Sequence, residues 1–107
     1  MSASVPKLFQ PTKVGRANLK HRVVMAPLTR YRADEHHVHT DLGVEYYSQR
    51  GSTPGTLLIT EATFIAAKAG GYANVPALET DAQVVAWKKV RQVVARFGGN
   101  RYLETLL

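Results

Sequence analysis

Two short stretches of the chain are largely apolar. They lack the alternation of apolar and polar residues that is found in a strand with one solvent-exposed face. The first lies within RVVMAPL at 22–28, and the second lies within TLLITEATFI at 56–65. Continuous apolar runs of this length are typical of strands covered on both faces, as in a parallel sheet. We therefore predict parallel, neighbouring strands near 22–26 and 56–61.

The segment 41–50, which follows the first strand, is predicted to be a helix. Thr40 or Asp41 provides a side-chain oxygen for the free N–H groups at its start. Gly51 comes directly after its end, where glycine commonly terminates a helix. A second helix over 81–97 follows the second strand, so strands and helices alternate along the chain.

The helix over 81–97 has the clearest signature. Thr80 and Gln83 have the spacing of a capping box, and Gly98-Gly99 follows the helix as a terminator. Its apolar residues recur at helical intervals and are expected to face the core. These residues are Val84, Trp87, Val90, Val94 and Phe97.

A short hairpin near 12–21 is predicted before the first strand, because 15–18 has the composition of a tight turn. The order of hairpin, strand, helix, strand and helix implies a βαβ crossover and a parallel sheet. Two strands cannot cover such a sheet, so either strands from elsewhere close it or the chain is a piece of a larger fold. The tail NRYLETLL fits a short strand and a frayed helix equally well.

Composition and charge restrict the class of protein. The 107 residues, 45% of them hydrophobic, suffice for one modest globular domain. The chain lacks cysteine, a signal-like start and any run near the roughly 20 apolar residues of a membrane span, which predicts a soluble, cytoplasmic protein without a membrane partner. The net charge of +6 comes from scattered residues, so we predict no nucleic-acid partner. Solvated surface charge and an anionic small molecule near Arg30 both remain explanations.

Both predicted strands end in small and polar residues. In parallel α/β folds, ligands bind at the carboxyl ends of strands. Pro27 would stop ladder pairing, Ala26 would let a flat ligand approach, and Thr29 would offer it a hydroxyl. The alternative is that APLT is simply a strand leaving the sheet. On the first interpretation, Pro27, Thr29 and Ala62 should meet at one end of the sheet.

Several motifs together resemble the Old Yellow Enzyme family of FMN-dependent ene-reductases. They are LFQPTKVGRANLKHRVVMAPLTRYRA, VEYYSQR and GTLLITEATFIAAKAGGYANVPA, in family order and at family spacing. The similarity runs from about Leu8 to about Phe97. Residues 1–7 are then a flexible arm, and 98–107 are a divergent tail whose YLETLL departs from the family's third strand.

The resemblance implies a fold and an activity. The fold is α/β, the amino-terminal portion of a TIM (β/α)8 barrel, with a hairpin at the barrel's mouth and two parallel strand–helix units. The activity is reduction of enone C=C bonds by FMN, with NADPH or NADH as reductant. Since such a barrel needs about 200 residues or more, the resemblance implies a fragment. The alternative is a non-enzymatic remnant or an association partner, binding a complementary barrel fragment or itself.

The resemblance also implies roles for individual residues. The backbone of 26–29 (Ala26, Pro27, Leu28 and Thr29) would lie against the FMN ring. The Thr29 hydroxyl would bond the flavin carbonyl oxygen and tune its potential, while Ala62 would leave room beside the ring. The family's proton donor has no counterpart in this chain. The substrate pocket would contain Tyr31, Phe64 and Tyr72.

Three further features are candidates for chemistry. His36, His37 and His39 have no fixed scaffold and are predicted to be a solvated loop, so no metal site is expected. Glu61 is either a general base or a structural hydrogen-bond acceptor. The Gly70-Gly71 pair is not a phosphate cradle, because no helix begins directly after it.

Overall fold

The computed structural model describes residues 4–96 and the backbone of 103–105. Short 3-10 helices lie at Lys7–Phe9 and Ala67–Ala69. No helix within the described residues is long and apolar enough to cross a membrane. The main elements are β1 (Thr12–Val14), β2 (Ala17–Leu19), β3 (Val24–Met25), α1 (Asp41–Gly51), β4 (Leu57–Thr60), α2 (Asp81–Arg96) and β5 (Leu103–Thr105).

The predicted hairpin is present. β1 and β2 pair antiparallel, with Val14 opposite Ala17 at the turn. Gly15 in that turn has a φ of 57°, a conformation that costs glycine less than any other residue. Ala17 and Leu19 are buried, so β2 anchors the hairpin to the rest of the chain.

The two predicted strands are parallel neighbours, which confirms the central prediction about the fold. Val24 pairs with Leu57 and Met25 with Leu58. On its other edge β4 pairs in parallel with β5, so the sheet order is β3-β4-β5. Part of the ambiguous tail, 103–105, is therefore a strand.

The prediction that the first strand is covered on both faces is wrong for the described chain. Val23 is 46% exposed and Val24 is 39% exposed. Its neighbour β4 has Leu58 and Thr60 buried. The reason is that α1 and α2 both pack against the face of the sheet that carries Met25 and Leu58, whereas Val24 lies beside Leu57 on the other face. The apolar composition of β3 thus suits a contact that these residues do not supply.

Both helices pack around a small aromatic core. The core consists of Tyr46, Tyr47, Leu58, Trp87 and Val90, with Met25, Val44 and Val94 packed against it. It joins α1 and α2 to the central strand, as expected for helices that follow parallel strands. The predicted core role of Trp87 and Val90 is thus confirmed, while Phe97 and Gly98-Gly99 lie outside the described residues.

The end of α1 differs from its prediction. Gly51 is the last residue of the helix, and the cap is Ser52. A side-chain carbon at Gly51 would lie 3.3 Å from the Val94 side chain, so the glycine permits close packing of α1 on α2. Thr40 does precede the helix, but its hydroxyl donates to the Arg32 carbonyl at 2.6 Å instead of capping.

The capping box of α2 is confirmed in both directions. The Gln83 N–H donates to Thr80 Oγ1 at 3.3 Å, and the Thr80 N–H donates to Gln83 Oε1 at 3.0 Å. Two of the free donors at the helix start are thereby satisfied. The helix then places Trp87 in the core, where its indole N–H donates to the Ala77 carbonyl at 3.2 Å.

Candidate functional site

The carboxyl ends of β3 and β4 are joined by a hydrogen bond between backbone and side chain. The Arg30 N–H donates to Glu61 Oε2 at 3.2 Å. Since the strands are parallel, Thr29 and Ala62, the neighbours of these two residues, lie at the same end of the sheet, as predicted. The two segments that carry the predicted flavin contacts therefore meet.

The segment 26–29 forms an exposed, bare stretch of backbone. Around Pro27 the Leu28 N–H donates to the Ala26 carbonyl at 3.0 Å, which is the bond of a tight three-residue turn. Ala26, Pro27 and Leu28 are exposed and Thr29 is half-buried. No described residue hydrogen-bonds the Thr29 hydroxyl. This backbone and its free hydroxyl are accessible to a flat ligand.

Beneath this surface Glu61 is fully engaged by hydrogen bonds. Its side chain is 1% exposed and accepts the Tyr47 O–H at Oε1 over 3.3 Å. The Tyr47 oxygen in turn accepts the Glu61 N–H at 3.0 Å. The Thr63 hydroxyl donates to the Glu61 carbonyl at 2.9 Å. Of the two interpretations of Glu61, this geometry favours the structural acceptor.

Burial governs the ionisation of this cluster. Loss of hydration raises the pKa of Glu61, and the hydrogen bonds from Arg30 and Tyr47 and the charges of Arg32 and Arg30 oppose that rise. Burial also lowers the pKa of His39 to about 4. His39 Nε2 lies 3.7 Å from Glu61 Oε1, but neither ring nitrogen has a hydrogen-bond partner. His39 is thus neutral at pH 7, and the contact is not an ion pair.

The predicted solvated histidine loop is wrong for His39. Its side chain is 0% exposed, and its ring packs edge-to-face on Trp87 with 4.3 Å between centroids. His36 is exposed, whereas His37 Nδ1 lies 2.6 Å from the Val75 carbonyl. The histidines therefore diverge. In 4–96 no group of three or more His, Cys, Asp or Glu side chains is placed to hold a metal ion.

The three predicted substrate-pocket residues differ in their exposure. Tyr31 is 57% exposed and Tyr72 is 68% exposed. Phe64 is half-buried, with its ring edge-on to His37 at 5.4 Å. Tyr31 has a φ of 54°, which is uncommon for a residue with a side chain and marks local strain. Their roles toward a substrate stay predictions.

The arginines near the site are turned toward α1. Arg30 Nε donates to the Tyr46 hydroxyl at 3.2 Å, and Arg32 Nη1 donates to the Arg30 carbonyl at 2.9 Å. The Arg50 guanidinium lies 4.0 Å from the centroid of the Tyr46 ring. The interpretation of Arg30 as a binder of a small anion is weakened, because its guanidinium already has a partner.

Sequence reasoning missed Tyr47 altogether. Its only signal was the adjacent pair Tyr46-Tyr47 in a predicted helix, which suggests core packing but not a hydroxyl partner. Tyr47 is completely buried, and its phenol oxygen joins α1 to the end of β4. A buried phenol needs a hydrogen-bond partner, so this rule predicts a partner for Tyr47 but does not identify it as Glu61.

Parallel strands with covering helices, and strand ends that meet at one exposed face, define an α/β protein with a candidate ligand site at the carboxyl edge of its sheet. The family of NADH:flavin oxidoreductases and NADH oxidases matches residues 7–104. The chain belongs to this family, whose solved members with a similar structure are Old Yellow Enzyme TIM barrels. Family membership implies FMN as the cofactor, with NADPH or NADH as the reductant.

Individual relatives agree with this assignment. The chain is 54% identical over 98 residues to chanoclavine-I aldehyde reductase fgaOx3 of Penicillium roqueforti, covering 92% of this chain and 27% of the relative. It is 51% identical to the NADP-dependent oxidoreductase lnbE of Aspergillus flavus, covering 92% and 26%. The Old Yellow Enzyme from Pichia sp. AKU4542 superimposes with a TM-score of 0.83 at 49% identity, covering 87% and 24%. The chain thus spans about a quarter of its relatives' length, from their amino-terminal part.

The described residues fit one part of FMN and not another. The exposed backbone at 26–29 and the small, exposed side chain of Ala62 suit the flat ring. A phosphate instead needs several fixed donors or a helix N-terminus to offset its lost hydration. The arginines that follow 26–29 in the sequence, Arg30 and Arg32, are both engaged in other hydrogen bonds.

Proposed function

We propose that this chain forms the flavin-facing portion of an FMN-dependent oxidoreductase that reduces activated C=C bonds, such as those of enones, with NADPH or NADH. The observation that supports this proposal is the exposed backbone at 26–29 beside Ala62, at the point where the two parallel strands end. The chain also belongs to the family. A relative named as an aldehyde reductase supports a substrate that carries a carbonyl group.

Each residue has a stated part in this proposal. Bound FMN would supply hydride transfer from the nicotinamide to the β-carbon of the alkene. The Thr29 hydroxyl would donate to the flavin carbonyl oxygen and stabilise the negative charge of the reduced ring, while the backbone at 26–29 would orient it. Ala62 leaves space for the ring. Tyr31, Phe64 and Tyr72 line the substrate side. The proton for the α-carbon comes from a group outside this set or from solvent.

The chain alone is expected neither to hold FMN tightly nor to reduce enones, because its described residues lack a phosphate cradle. The test is to purify the chain, titrate FMN while following flavin fluorescence, and monitor NADPH consumption with cyclohexenone. We expect no turnover alone and restored binding when the remaining three quarters of a relative's barrel are co-expressed. Thr29→Ala should then lower the flavin potential, with Thr53→Ala, on the loop before β4, as the control. Micromolar binding with turnover by the chain alone would contradict this expectation.

A second candidate function is association with a complementary barrel fragment. β3 has one edge without a strand partner among the described residues, and Val24 and the preceding Val23 are exposed beside an open depression of about 680 Å³ that Phe9 and Met25 also line. An unpaired apolar edge recruits another strand, in a complementary fragment or a second copy. Val23→Glu should abolish association measured by light scattering, whereas Val85→Glu, an equally exposed valine on α2, should not. Equal behaviour of the two variants would reject this candidate.

A further inference from the structure

The buried carboxylate Glu61 has no part in the proposed reaction, yet both of its oxygens accept hydrogen bonds. Its two oxygens take different donors: Oε2 accepts the Arg30 N–H at 3.2 Å, and Oε1 accepts the Tyr47 O–H at 3.3 Å. The Tyr47 phenol also accepts the Glu61 N–H. Side chain and backbone of Glu61 are therefore fixed to the same phenol.

The partners of Glu61 lie far apart in sequence and close to the candidate site. Arg30 is 31 residues before Glu61 and directly follows Thr29. Ala62 directly follows Glu61. β3 has only two residues and ends at Met25, so no sheet ladder holds the segment that carries Thr29. The Arg30–Glu61 bond is thus a tie between the two predicted ring-facing segments beyond the end of the ladder.

We propose that Glu61 is a positioning residue for the flavin-facing segment: by accepting the Arg30 N–H, it holds Thr29 in place relative to Ala62. This inference rests on the proposed function only in taking flavin as the ligand that the segment faces. The hydrogen bond between Arg30 and Glu61 does not itself depend on flavin. A charged acceptor suits the role, because hydrogen bonds to ionised groups are stronger than those between neutral groups.

The acceptor chemistry requires a carboxylate, not merely a polar side chain. Tyr47 uses its one proton toward Oε1 and its oxygen for the Glu61 N–H. A glutamine at 61 keeps one carbonyl oxygen for the Arg30 N–H and turns an NH2 group toward the phenol, which then lacks an acceptor for its proton. Glu61→Gln should therefore retain part of the tie, and Glu61→Ala none.

The Arg30 amide reports the tie directly in the full chain by NMR. Its proton shift should follow the ionisation of Glu61, with a midpoint above the ordinary pKa of glutamate because burial raises that pKa. The groups that face the Glu61 carboxyl are His39, which also titrates in acid, the Tyr47 phenol, whose pKa burial raises, and the guanidinium charges of Arg30 and Arg32. His39→Leu should leave the titration in place, whereas Glu61→Gln should remove it.

Amide exchange supplies the second measurement. Glu61→Ala should accelerate exchange of the Arg30 amide by about 10- to 100-fold, the value of a lost hydrogen bond to a charged acceptor. Glu79 is the matched control, because this exposed glutamate accepts the Ala67 N–H at 2.9 Å. Glu79→Ala should accelerate the Ala67 amide and leave Arg30 unchanged. The pH titration of the Arg30 amide in the wild-type chain needs no variant, so it tests the positioning role of Glu61 even if Glu61→Ala does not fold.

A flavin titration separates this inference from the proposed function. Millimolar FMN should shift the amide NMR resonances of Thr29 and Ala62 in the wild-type chain. Glu61→Gln should reduce the shift of the Thr29 resonance more than that of the Ala62 resonance. No FMN-dependent shift in the wild type would count against the proposed function. An Arg30 amide that ignores both the ionisation and the removal of Glu61 would overturn the positioning role.

Discussion

Replacing His39 by leucine should change how the stability of this protein depends on acid. The His39 pKa is lowered from 6.5 to about 4 by burial, and the side chain is 0% exposed. A group whose pKa is lower in the folded state stabilises the fold fully above its unfolded pKa and loses that contribution as the pH falls. The wild type should therefore lose stability between pH 6.5 and pH 4.

The magnitude follows from the shift. Each pKa unit corresponds to about 1.4 kcal/mol, so a lowering from 6.5 to about 4 removes on the order of 3 kcal/mol from the free energy of unfolding. Glu61 acts in the opposite sense, because its raised pKa makes the fold more stable as the pH falls through that value. His39→Leu lacks the first effect, so its unfolding free energy should increase relative to that of the wild type as the pH falls over the same range.

The two proteins should be similar at pH 7. Leucine loses the edge contact with Trp87, worth about 0.5–1.5 kcal/mol. It also removes two buried ring nitrogens that lack partners, which offsets that loss by a similar amount. The difference between the two unfolding free energies should then grow to about 3 kcal/mol in favour of the variant at pH 4.

Urea unfolding at several pH values measures this difference, with the fluorescence of Trp87, the single tryptophan, as the signal. Other titrating groups are common to both proteins and cancel in the comparison. His36→Gln is the control, since His36 is exposed and its curve should run parallel to the wild type. Parallel curves for His39→Leu and the wild type would refute the assignment of His39 as a buried neutral group.

Two further predictions concern the packing of the helices. Gly43→Ala should destabilise the chain by more than about 1 kcal/mol, because its new carbon would collide with Nδ1 of the buried His39. Gly71→Ala meets nothing within 4 Å and should cost far less, so equal melting temperatures of the two variants would contradict this prediction. Thr80→Ala should cost about 1 kcal/mol in urea unfolding through loss of the α2 cap, with Thr53→Ala as the control outside that helix, and an unchanged midpoint would show that the cap contributes nothing.

The elements that were predicted well depend on interactions between near neighbours in the chain. The hairpin near 12–21 follows from turn residues, and the start of α2 follows from Thr80 and Gln83, which are three residues apart. The parallel arrangement of β3 and β4 follows from apolar runs separated by a helix. Such patterns are readable because their physical causes lie within one turn or one crossover.

The sequence by itself therefore determined the order of the elements, the pairing of the two central strands, the family and the end of the sheet where the candidate site lies. Only the tertiary structure decided the surroundings of single side chains. It buried His39 against Trp87, left Val23 and Val24 exposed, and joined Tyr47 and Arg30 to Glu61. The physical reason is distance along the chain: Arg30 and Glu61 are 31 residues apart, and no local pattern encodes which buried donor a carboxylate will meet.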